Sequence, residues 1–395
     1  MSLDFQQVRE QVRKMGEEAP GRAERREKLH ALALEILTAQ EDHLEALREK
    51  VQQAARQHDP SLRCALPIAE TLTATYPLPA SPSAATLLAA DGSQINLDRH
   101  AAAEYCLVNV GAIRFISGSG LPPETTVRCE LIYDEQLYTP TGTITEATLA
   151  LMRDLHERRM LAELAGQTQQ PVIALTDGPI ELWGAKERGE EAIDFKRYLA
   201  EYLKVLTTLA KLKVAFAGYV DKPGANLVAR LLEVAMASGA DLPRIREYHP
   251  LRGITDLALY GNLIDAGERS AVFAIQSQSA RNYLGELGLH FFYLNVGLPG
   301  KPWLARVEIP AWVAERQELL DNLHTSLVEQ CRILGGRPYP YLLHRAHETA
   351  VVSLQEREQV TQMIVLELQR RGVTPGQGSH KQAHKDLAGK TRYTR

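Results

Sequence analysis

From residue 86 onward the sequence alternates short apolar runs with longer amphipathic stretches, and this alternation constrains the fold more than any other feature. Three runs are typical of strands: TLLAADGSQI, AEYCLVNVGAIRFI and TTVRCELIYDEQLY. The stretch 143–165 has helical spacing, and the apolar run PVIALTDGPI follows it. Helical spacing returns at 193–211 and 226–238, with the strand-like VAFAGYV between them. Strands that alternate with helices predict an α/β domain.

The chain divides by composition into four segments. Residues 1–57 predict an N-terminal helical extension, two amphipathic helices separated at Pro20 and Gly21, which pack on a partner, on a second copy or on their own domain. Residues 58–85 contain five prolines and predict an extended connector. The domain proper is expected at 86–370. The tail, 371–395, is basic and lacks apolar periodicity, so it is expected to be mobile.

Composition limits the functional class. With 45% hydrophobic and 24% charged residues, the 395-residue chain is typical of a soluble globular protein. A net charge of −4 means that any contact with nucleic acid depends on local basic patches. Four scattered cysteines without a CxxC pair argue against a zinc knuckle or a disulfide framework. No apolar stretch approaches the roughly 18 residues of a membrane span, and the N-terminus is highly charged, so a cytoplasmic protein is expected.

Two aspartates stand out because each follows an apolar run and precedes a glycine: Asp91 in LLAADGSQI and Asp177 in VIALTDGPI. Functional groups collect where the strands of an open α/β sheet end, since a crevice opens there. Adjacent carboxylates repel each other unless cations neutralise them, and their hard oxygens suit Mg²⁺ or Mn²⁺. A pair of such ions about 3.5–4 Å apart can activate water for attack on a phosphodiester. The alternative for each Asp-Gly pair is an ordinary turn after a strand.

A third carboxylate is expected from the helical stretch 143–165. Glu157 and Glu163 lie six residues apart, so about 240° of helical turn separates them and they cannot share a face. Met160 and Leu161 lie on the side of Glu157, which favours Glu157 as the inward residue. A solvated charge on a helix is the alternative for both glutamates.

The C-terminal segment GGRPYPYLLHRAHETAVVS adds Tyr339 and His347. A histidine here can orient a phosphate, bind a metal ion or move a proton near neutral pH, although a lone histidine beside an apolar run is more often structural. Arg269, in GERSAVF, can contact a phosphate through two hydrogen bonds or form a surface salt bridge.

Six segments in one order resemble the NurA nuclease family, from about Ala89 to the C-terminus. They are AADGSQI, VIALTDGPIELW, AGYVDKPGANLVARLL, GERSAVF with FFYLNVG, ARVEIPAWVA and YPYLLHRAHETAVVS. The resemblance implies a ribonuclease-H-like mixed sheet flanked by helices. It also implies that Asp91, Glu157 and Asp177 are the catalytic, metal-binding carboxylates, and that Tyr339 and His347 are catalytic residues.

The same resemblance implies a function. It indicates a Mn²⁺-dependent (or Mg²⁺-dependent) DNA nuclease that cleaves single strands and degrades duplex ends from 5′ to 3′. Such proteins form homodimers and work in DNA end processing with HerA, a hexameric translocating ATPase. The chain has no GxxxxGK[ST] motif, so translocation would need that separate motor. The alternatives are a catalytically inactive subunit that docks on the ATPase, and an unrelated phosphohydrolase of small esters.

Overall fold

The structure is a computed structural model that describes residues 3–80, 85–99, 101–140, 142–168, 171–182 and 191–374. Within these ranges the helices are α1 (Phe5–Ala39), α2 (Leu44–Gln53), α3 (Glu146–Gly166), α4 (Glu191–Lys211), α5 (Leu227–Met236), α6 (Asp256–Tyr260), α7 (Ala311–Ala314), α8 (Gln317–Ile333), α9 (Tyr341–Ala350) and α10 (Leu354–Arg370). The strands are β1 (Cys64–Pro67), β2 (Thr75–Tyr76), β3 (Thr86–Ile95), β4 (Cys106–Ile116), β5 (Glu124–Ile132), β6 (Tyr138–Thr139), β7 (Gly142–Thr143), β8 (Val172–Asp177), β9 (Ala215–Val220), β10 (Arg269–Ser270), β11 (Phe273–Gln276), β12 (Leu289–Asn295) and β13 (Leu304–Pro310).

Contacts along the chain define two compact units. The first unit comprises Met1–Ser81 and Ala217–Tyr339, and the second comprises Pro82–Phe216 and Pro340–Arg395. These boundaries differ from the segment boundaries that composition predicts at residues 57, 85 and 370. The reason is that α1 packs on α5 and α6, and α2 packs on α5 and β1, so the N-terminal helices belong to the first unit.

The strands of the first unit follow the order β1-β11-β12-β13-β9, and each neighbouring pair is antiparallel. Here the expectation of an extended connector at 58–85 needs correction, because β1 and β2 lie within it. β1 pairs with β11 at the end of this order, and its last residue is Pro67. An edge strand tolerates proline because the missing N–H interrupts no internal ladder.

The expected helix break at Pro20 and Gly21 is also wrong. α1 continues through Pro20 and ends at Ala39, and α2 begins only at Leu44. Proline removes one helical hydrogen bond and normally disfavours a helix interior. Here the whole turn around Pro20 is exposed, so water can solvate the carbonyl that loses its partner. Strong helix formers on both sides, mainly Glu, Arg and Ala, favour continuation.

The second unit contains the mixed sheet β8-β3-β4-β5. β3 pairs antiparallel with β4 over its full length, and β4 pairs antiparallel with β5. β8, which follows α3 along the chain, pairs parallel with β3 from Thr86↔Val172 to Ala90↔Thr176. Three antiparallel strands followed by a helix and a strand parallel to the first form the ribonuclease-H-like arrangement, so the expected fold class is confirmed.

Helices cover both faces of this sheet. A side chain at Gly92 would meet Arg153 and Glu157 of α3, whereas one at Gly111, which pairs with Asp91, would meet the end of α9. Because successive residues of a strand point to opposite faces, α3 and α9 lie on opposite faces. This explains why the first half of β3 is buried on both sides.

The tail that was expected to be mobile lies outside the described residues from residue 375 onward. In the described ranges, no helix combines the length and the apolar character that crossing a bilayer requires.

Candidate metal centre

Asp91 lies in the middle of β3 and not, as the sequence indicates, at the end of a strand. The strand continues to Ile95 because β4 pairs with it along that whole length. The parallel pairing with β8 stops earlier, at Ala90↔Thr176. Burial along β3 changes from complete to partial at Asp91, where the neighbouring strand ends. Asp91 therefore lies beside the end of β8, the kind of position at which ligands bind in open α/β sheets.

Asp177 is the last residue of β8 and is exposed. Since Ala90 and Thr176 are partners, Asp91 and Asp177 are the next residues at the same level of two parallel strands. Neighbouring strands are about 4.8 Å apart, and residues in register point to the same face. Gly178 follows with a φ of +78°, a conformation that favours glycine, so the chain turns sharply after the carboxylate. Each of the two aspartates thus directly follows the last partnered pair of the β3–β8 ladder.

Glu157 approaches the backbone of Gly92, the residue after Asp91, from α3 on the opposite face of the sheet. Its residue exposure is only 5%, whereas Glu163 is exposed and pairs with Arg128 through contacts of 2.9 and 3.1 Å. A Cβ atom on Gly92 would lie 2.8 Å from Glu157 Oε1, so the missing side chain lets this carboxylate approach the backbone next to Asp91. The choice of Glu157 as the inward glutamate agrees with this burial.

Arginines surround the buried glutamate. Arg158 Nη1 donates a hydrogen bond to Glu157 Oε2, and Arg153 Nε lies 3.5 Å from Glu157 Oε1. Burial nevertheless raises the pKa of Glu157 to about 8. Arg158 and Arg153 oppose this rise, whereas the nearby Asp154 and Asp91 carboxylates add to it. Negative charge at this position is therefore only partly compensated by the protein.

His347 on α9 contacts the aspartate of β3 directly. Its Nδ1 lies 2.7 Å from Asp91 Oδ2, and the other oxygen, Oδ1, accepts a hydrogen bond from the Gly92 N–H at 2.8 Å. A carboxylate only accepts, so Nδ1 carries the proton and donates. His347 is 64% exposed in its side chain, compared with 20% for Asp91. The imidazole therefore covers the aspartate from the solvent side.

Two further candidates lie in the first unit. Tyr339 contacts the ring of Tyr219 edge-on, with the ring centroids 5.6 Å apart. Its place relative to the carboxylates stays a prediction. Arg269 is neither exposed nor available to phosphate: its side chain is 1% exposed and pairs with Glu70 through contacts of 3.1 and 3.0 Å. Its guanidinium also lies 3.9 Å from the centroid of the Tyr76 ring.

The sequence places Arg153 on the same side of α3 as Glu157, but it does not indicate the contact between Glu157 and Arg158. Adjacent helical residues point about 100° apart, so Arg158 would be expected to face away from its neighbour Glu157. Both are buried because α3 is covered by the sheet on one side and by α4 on another. Arg158 packs against Tyr202 of α4, so its position depends on tertiary packing that the local sequence does not report.

The donor chemistry of the site fits a hard divalent cation. In the part of the chain that the structure describes, no three His, Cys, Asp or Glu side chains lie close enough together to hold a metal ion. Instead, Asp91 bonds to His347 and Glu157 to Arg158. Carboxylate oxygens are nevertheless the hard ligands that Mg²⁺ and Mn²⁺ prefer. Burial is the main cause of the raised pKa of Glu157, and a cation beside this carboxylate would oppose that rise.

A comparison with families of known sequences identifies the domain. The NurA domain matches residues 85–352, which is more than half of the chain. The chain belongs to the NurA domain family. The NurA match covers the β3–β8 sheet, α3 and α9, so Asp91, Glu157, Asp177, Tyr339 and His347 all lie within the family's domain. A comparison with curated proteins found no significant match.

A comparison with solved structures found similar chains. The chain is similar to the NurA nuclease from Sulfolobus solfataricus, with 14% identity over 72% of this chain and 85% of that chain and a TM-score of 0.45. It is also similar to the catalytic domain of human Endonuclease V, with 15% identity over 71% and 84% and a TM-score of 0.30. The type 1 ribonuclease H LC9-RNase H1 matches with 14% identity over 37% and 68% and a TM-score of 0.22.

Proposed function

We propose that this NurA domain protein is a DNA nuclease that hydrolyses phosphodiester bonds with divalent cations, Mn²⁺ or Mg²⁺. The observation that carries the proposal is the parallel register of β3 and β8, in which the residues directly before Asp91 and Asp177 are partners, with Glu157 beside Gly92. Membership of the family supports the same function, since the sequence resembles NurA nucleases across the whole domain.

Asp91, Asp177 and Glu157 are the residues that would hold the cations. Bound there, divalent cations supply charge neutralisation for the phosphate and acidify a water molecule. The protein itself fixes the direction of the Asp91 carboxylate, because the Gly92 N–H and His347 Nδ1 each donate to one of its oxygens. These two hydrogen bonds preorganise the Asp91 carboxylate in the protein without bound DNA.

His347 can act on the substrate as well as on Asp91. With Nδ1 donating to Asp91, a neutral imidazole has its lone pair on Nε2, and a protonated one carries a second N–H there. The ring is mostly exposed, so Nε2 is accessible to a phosphate or to water. His347 would orient the scissile phosphate or transfer a proton near neutral pH.

The remaining details rest on the family resemblance. We propose that the protein cleaves single-stranded DNA, degrades duplex ends from 5′ to 3′, and forms a homodimer that works with a HerA-like hexameric ATPase in DNA end processing and repair. A catalytically inactive docking subunit remains the alternative that an activity assay decides. The cytoplasmic location stays a prediction.

The direct test is a nuclease assay on single-stranded and linear duplex DNA with Mn²⁺ or with EDTA. Wild-type protein is expected to degrade DNA only with the metal, and Asp91→Ala is expected to lose activity by a factor of at least about 10³, since it removes a ligand of the cations. Glu163→Gln is the matched control, because Glu163 lies on α3 but is exposed and paired with Arg128. Cleavage by Asp91→Ala at the wild-type rate would contradict the proposal.

A further inference from the structure

Arg158 is a buried charged residue that the proposed chemistry does not itself require. It lies next to Glu157 on α3 and is 4% exposed. Besides its hydrogen bond to Glu157 Oε2, its Nη1 lies 3.4 Å from the carbonyl oxygen of Asp154. The guanidinium also lies against Tyr202 of α4, 5.8 Å from the centroid of the ring.

Tyr202 extends this set of contacts to β8. Its side chain is fully buried, and its hydroxyl donates a hydrogen bond of 2.7 Å to the carbonyl oxygen of Ile180. Ile180 lies three residues after Asp177, beyond the turn at Gly178. A continuous path of contacts therefore runs from the carboxylate of Glu157 through Arg158 and Tyr202 to the turn that follows Asp177.

Arg158 is better explained by its effect on the orientation of Glu157 than by a contribution to the stability of the fold. Burying a guanidinium costs solvation energy, and replacing a buried ion pair by apolar side chains is often neutral or stabilising. Arg158 Nε is buried without a hydrogen-bond partner among the described residues, which adds to that cost. A fork-shaped cation that binds one carboxylate oxygen and packs on an aromatic ring does, however, restrict the rotamer of its partner.

We propose that Arg158 and Tyr202 are positioning residues that fix the Glu157 carboxylate relative to the turn after Asp177. They touch neither DNA nor cation, and act through the two carboxylates from α3 and β8. The inference rests on the proposed function, since it assumes that these carboxylates bind the same cations. Partners of metal ligands typically change metal affinity by about 10- to 100-fold when they are removed.

Tyr202→Phe tests this with the loss of one oxygen atom, and Tyr260→Phe is its matched control. Tyr260 is also fully buried, and its hydroxyl donates to the carbonyl oxygen of Leu72 at 2.9 Å, in the first unit. Binding of Mn²⁺ to the full chain is measured by titration calorimetry, and Tm is measured without metal. Both variants are expected to lose similar stability, but only Tyr202→Phe is expected to bind Mn²⁺ about tenfold or more weakly.

A second pair of variants tests the arginine. Arg158→Met removes the guanidinium, and Arg159→Met on the same helix removes one that lies near the surface, 3.4 Å from Glu201. Arg158→Met is expected to weaken Mn²⁺ binding at least about tenfold and to lower kcat on single-stranded DNA with an unchanged KM. Arg159→Met is expected to match the wild type. A structural role would lower Tm without changing the affinity for Mn²⁺.

Asp91→Ala in the same titrations separates a failure of the metal centre from a failure of the positioning role. If Asp91→Ala binds Mn²⁺ like the wild type, the proposed metal centre fails and the positioning role fails with it. If Asp91→Ala loses Mn²⁺ binding while Tyr202→Phe and Arg158→Met bind like their controls, the metal centre stands and only the positioning role is overturned.

Discussion

His347 and Asp91 lie 256 positions apart in the sequence, yet His347 Nδ1 and Asp91 Oδ2 are 2.7 Å apart. The contact depends on the way α9 lies across β3 and β4. Asn109 Nδ2 donates to the carbonyl oxygen of Ala350 at 2.7 Å, and the Ser93 hydroxyl donates to the same oxygen. Ser93 and Asn109 are direct partners in the β3–β4 ladder. The C-terminal end of α9 is thereby fixed one turn beyond His347.

Substitution of His347 is expected to affect turnover much more than stability. The side chain is mostly exposed, so His347→Ala should change Tm little, while the rate of DNA cleavage falls about 10²-fold or more. An amide nitrogen can replace Nδ1 as the donor to Asp91. His347→Asn is therefore expected to recover part of the lost rate if the histidine only orients Asp91. Single-turnover cleavage assays measure both, and a wild-type rate for His347→Ala would exclude any role in catalysis.

Gly111 is expected to be required for the position of α9. It is the ladder partner of Asp91, and a Cβ atom there would lie 2.7 Å from the Ala350 nitrogen and 2.8 Å from Thr349 Cγ2. Backbone atoms cannot rotate away, so Gly111→Ala should displace α9 and lengthen the contact between His347 and Asp91. We expect a lower Tm and at least about a tenfold loss of cleavage rate.

Gly224→Ala serves as the control for that variant, since a Cβ atom there would meet nothing within 4 Å. Its cleavage rate and Tm are expected to equal those of the wild type. Equal rates for Gly111→Ala and Gly224→Ala would show that the position of α9 does not matter for cleavage.

Glu157 is expected to make the metal-free protein less stable at alkaline pH. Its pKa is raised from 4.5 to about 8 by burial, so between these values the folded protein retains a proton that the unfolded chain has released. The free energy of unfolding therefore decreases as pH rises through this window. Glu157→Gln is neutral at every pH and should lack this loss. Its Tm in EDTA, relative to the wild type, is expected to rise from pH 5 to pH 9; a constant difference would contradict the raised pKa.

His324 is expected to have the opposite effect at acid pH. Burial lowers its pKa from 6.5 to about 4, although its hydrogen bond to the Gly267 carbonyl opposes the change. Its Nδ1 is buried with no hydrogen-bond partner among the described residues, so protonation would bury an unpaired N–H. The unfolded chain binds this proton first, and stability falls as pH drops from 6.5 to 4.

The expected loss over that window is on the order of 3 kcal/mol. Glutamine can keep the donor to Gly267 without titrating, so His324→Gln should lose less stability between pH 6.5 and 4 than the wild type. Urea unfolding at a series of pH values measures the difference, and parallel curves for the two proteins would refute the explanation.

The sequence predicts elements where local pattern determines structure. The run TLLAADGSQI coincides with β3, and the helical spacing at 143–165 corresponds to α3, because apolar periodicity reports directly on burial. The break at Pro20 was wrong because an exposed helix can tolerate one lost hydrogen bond. The strand β1 was missed because its pairing with β11 joins residues more than 200 positions apart.

The candidate site also contains residues that the local sequence pattern indicates and contacts that only tertiary packing determines. Asp91 and Asp177 are visible in the sequence because each Asp-Gly follows an apolar run, although the sequence does not show that Asp91 lies in the middle of β3, beside the end of β8. Arg158 carries no such signal, since its contact with Glu157 and Tyr202 depends on the packing of α3 against α4. Local pattern therefore indicates which carboxylates matter, and tertiary packing determines what surrounds them.

We expect carboxylates from β3 and β8 to bind the same divalent cations. Anomalous scattering from a crystal soaked in Mn²⁺ tests it most directly. We predict a strong peak in direct contact with carboxylate oxygens of both Asp91 and Asp177. Mn²⁺ found only elsewhere on the protein, at a concentration that supports DNA cleavage, would contradict it.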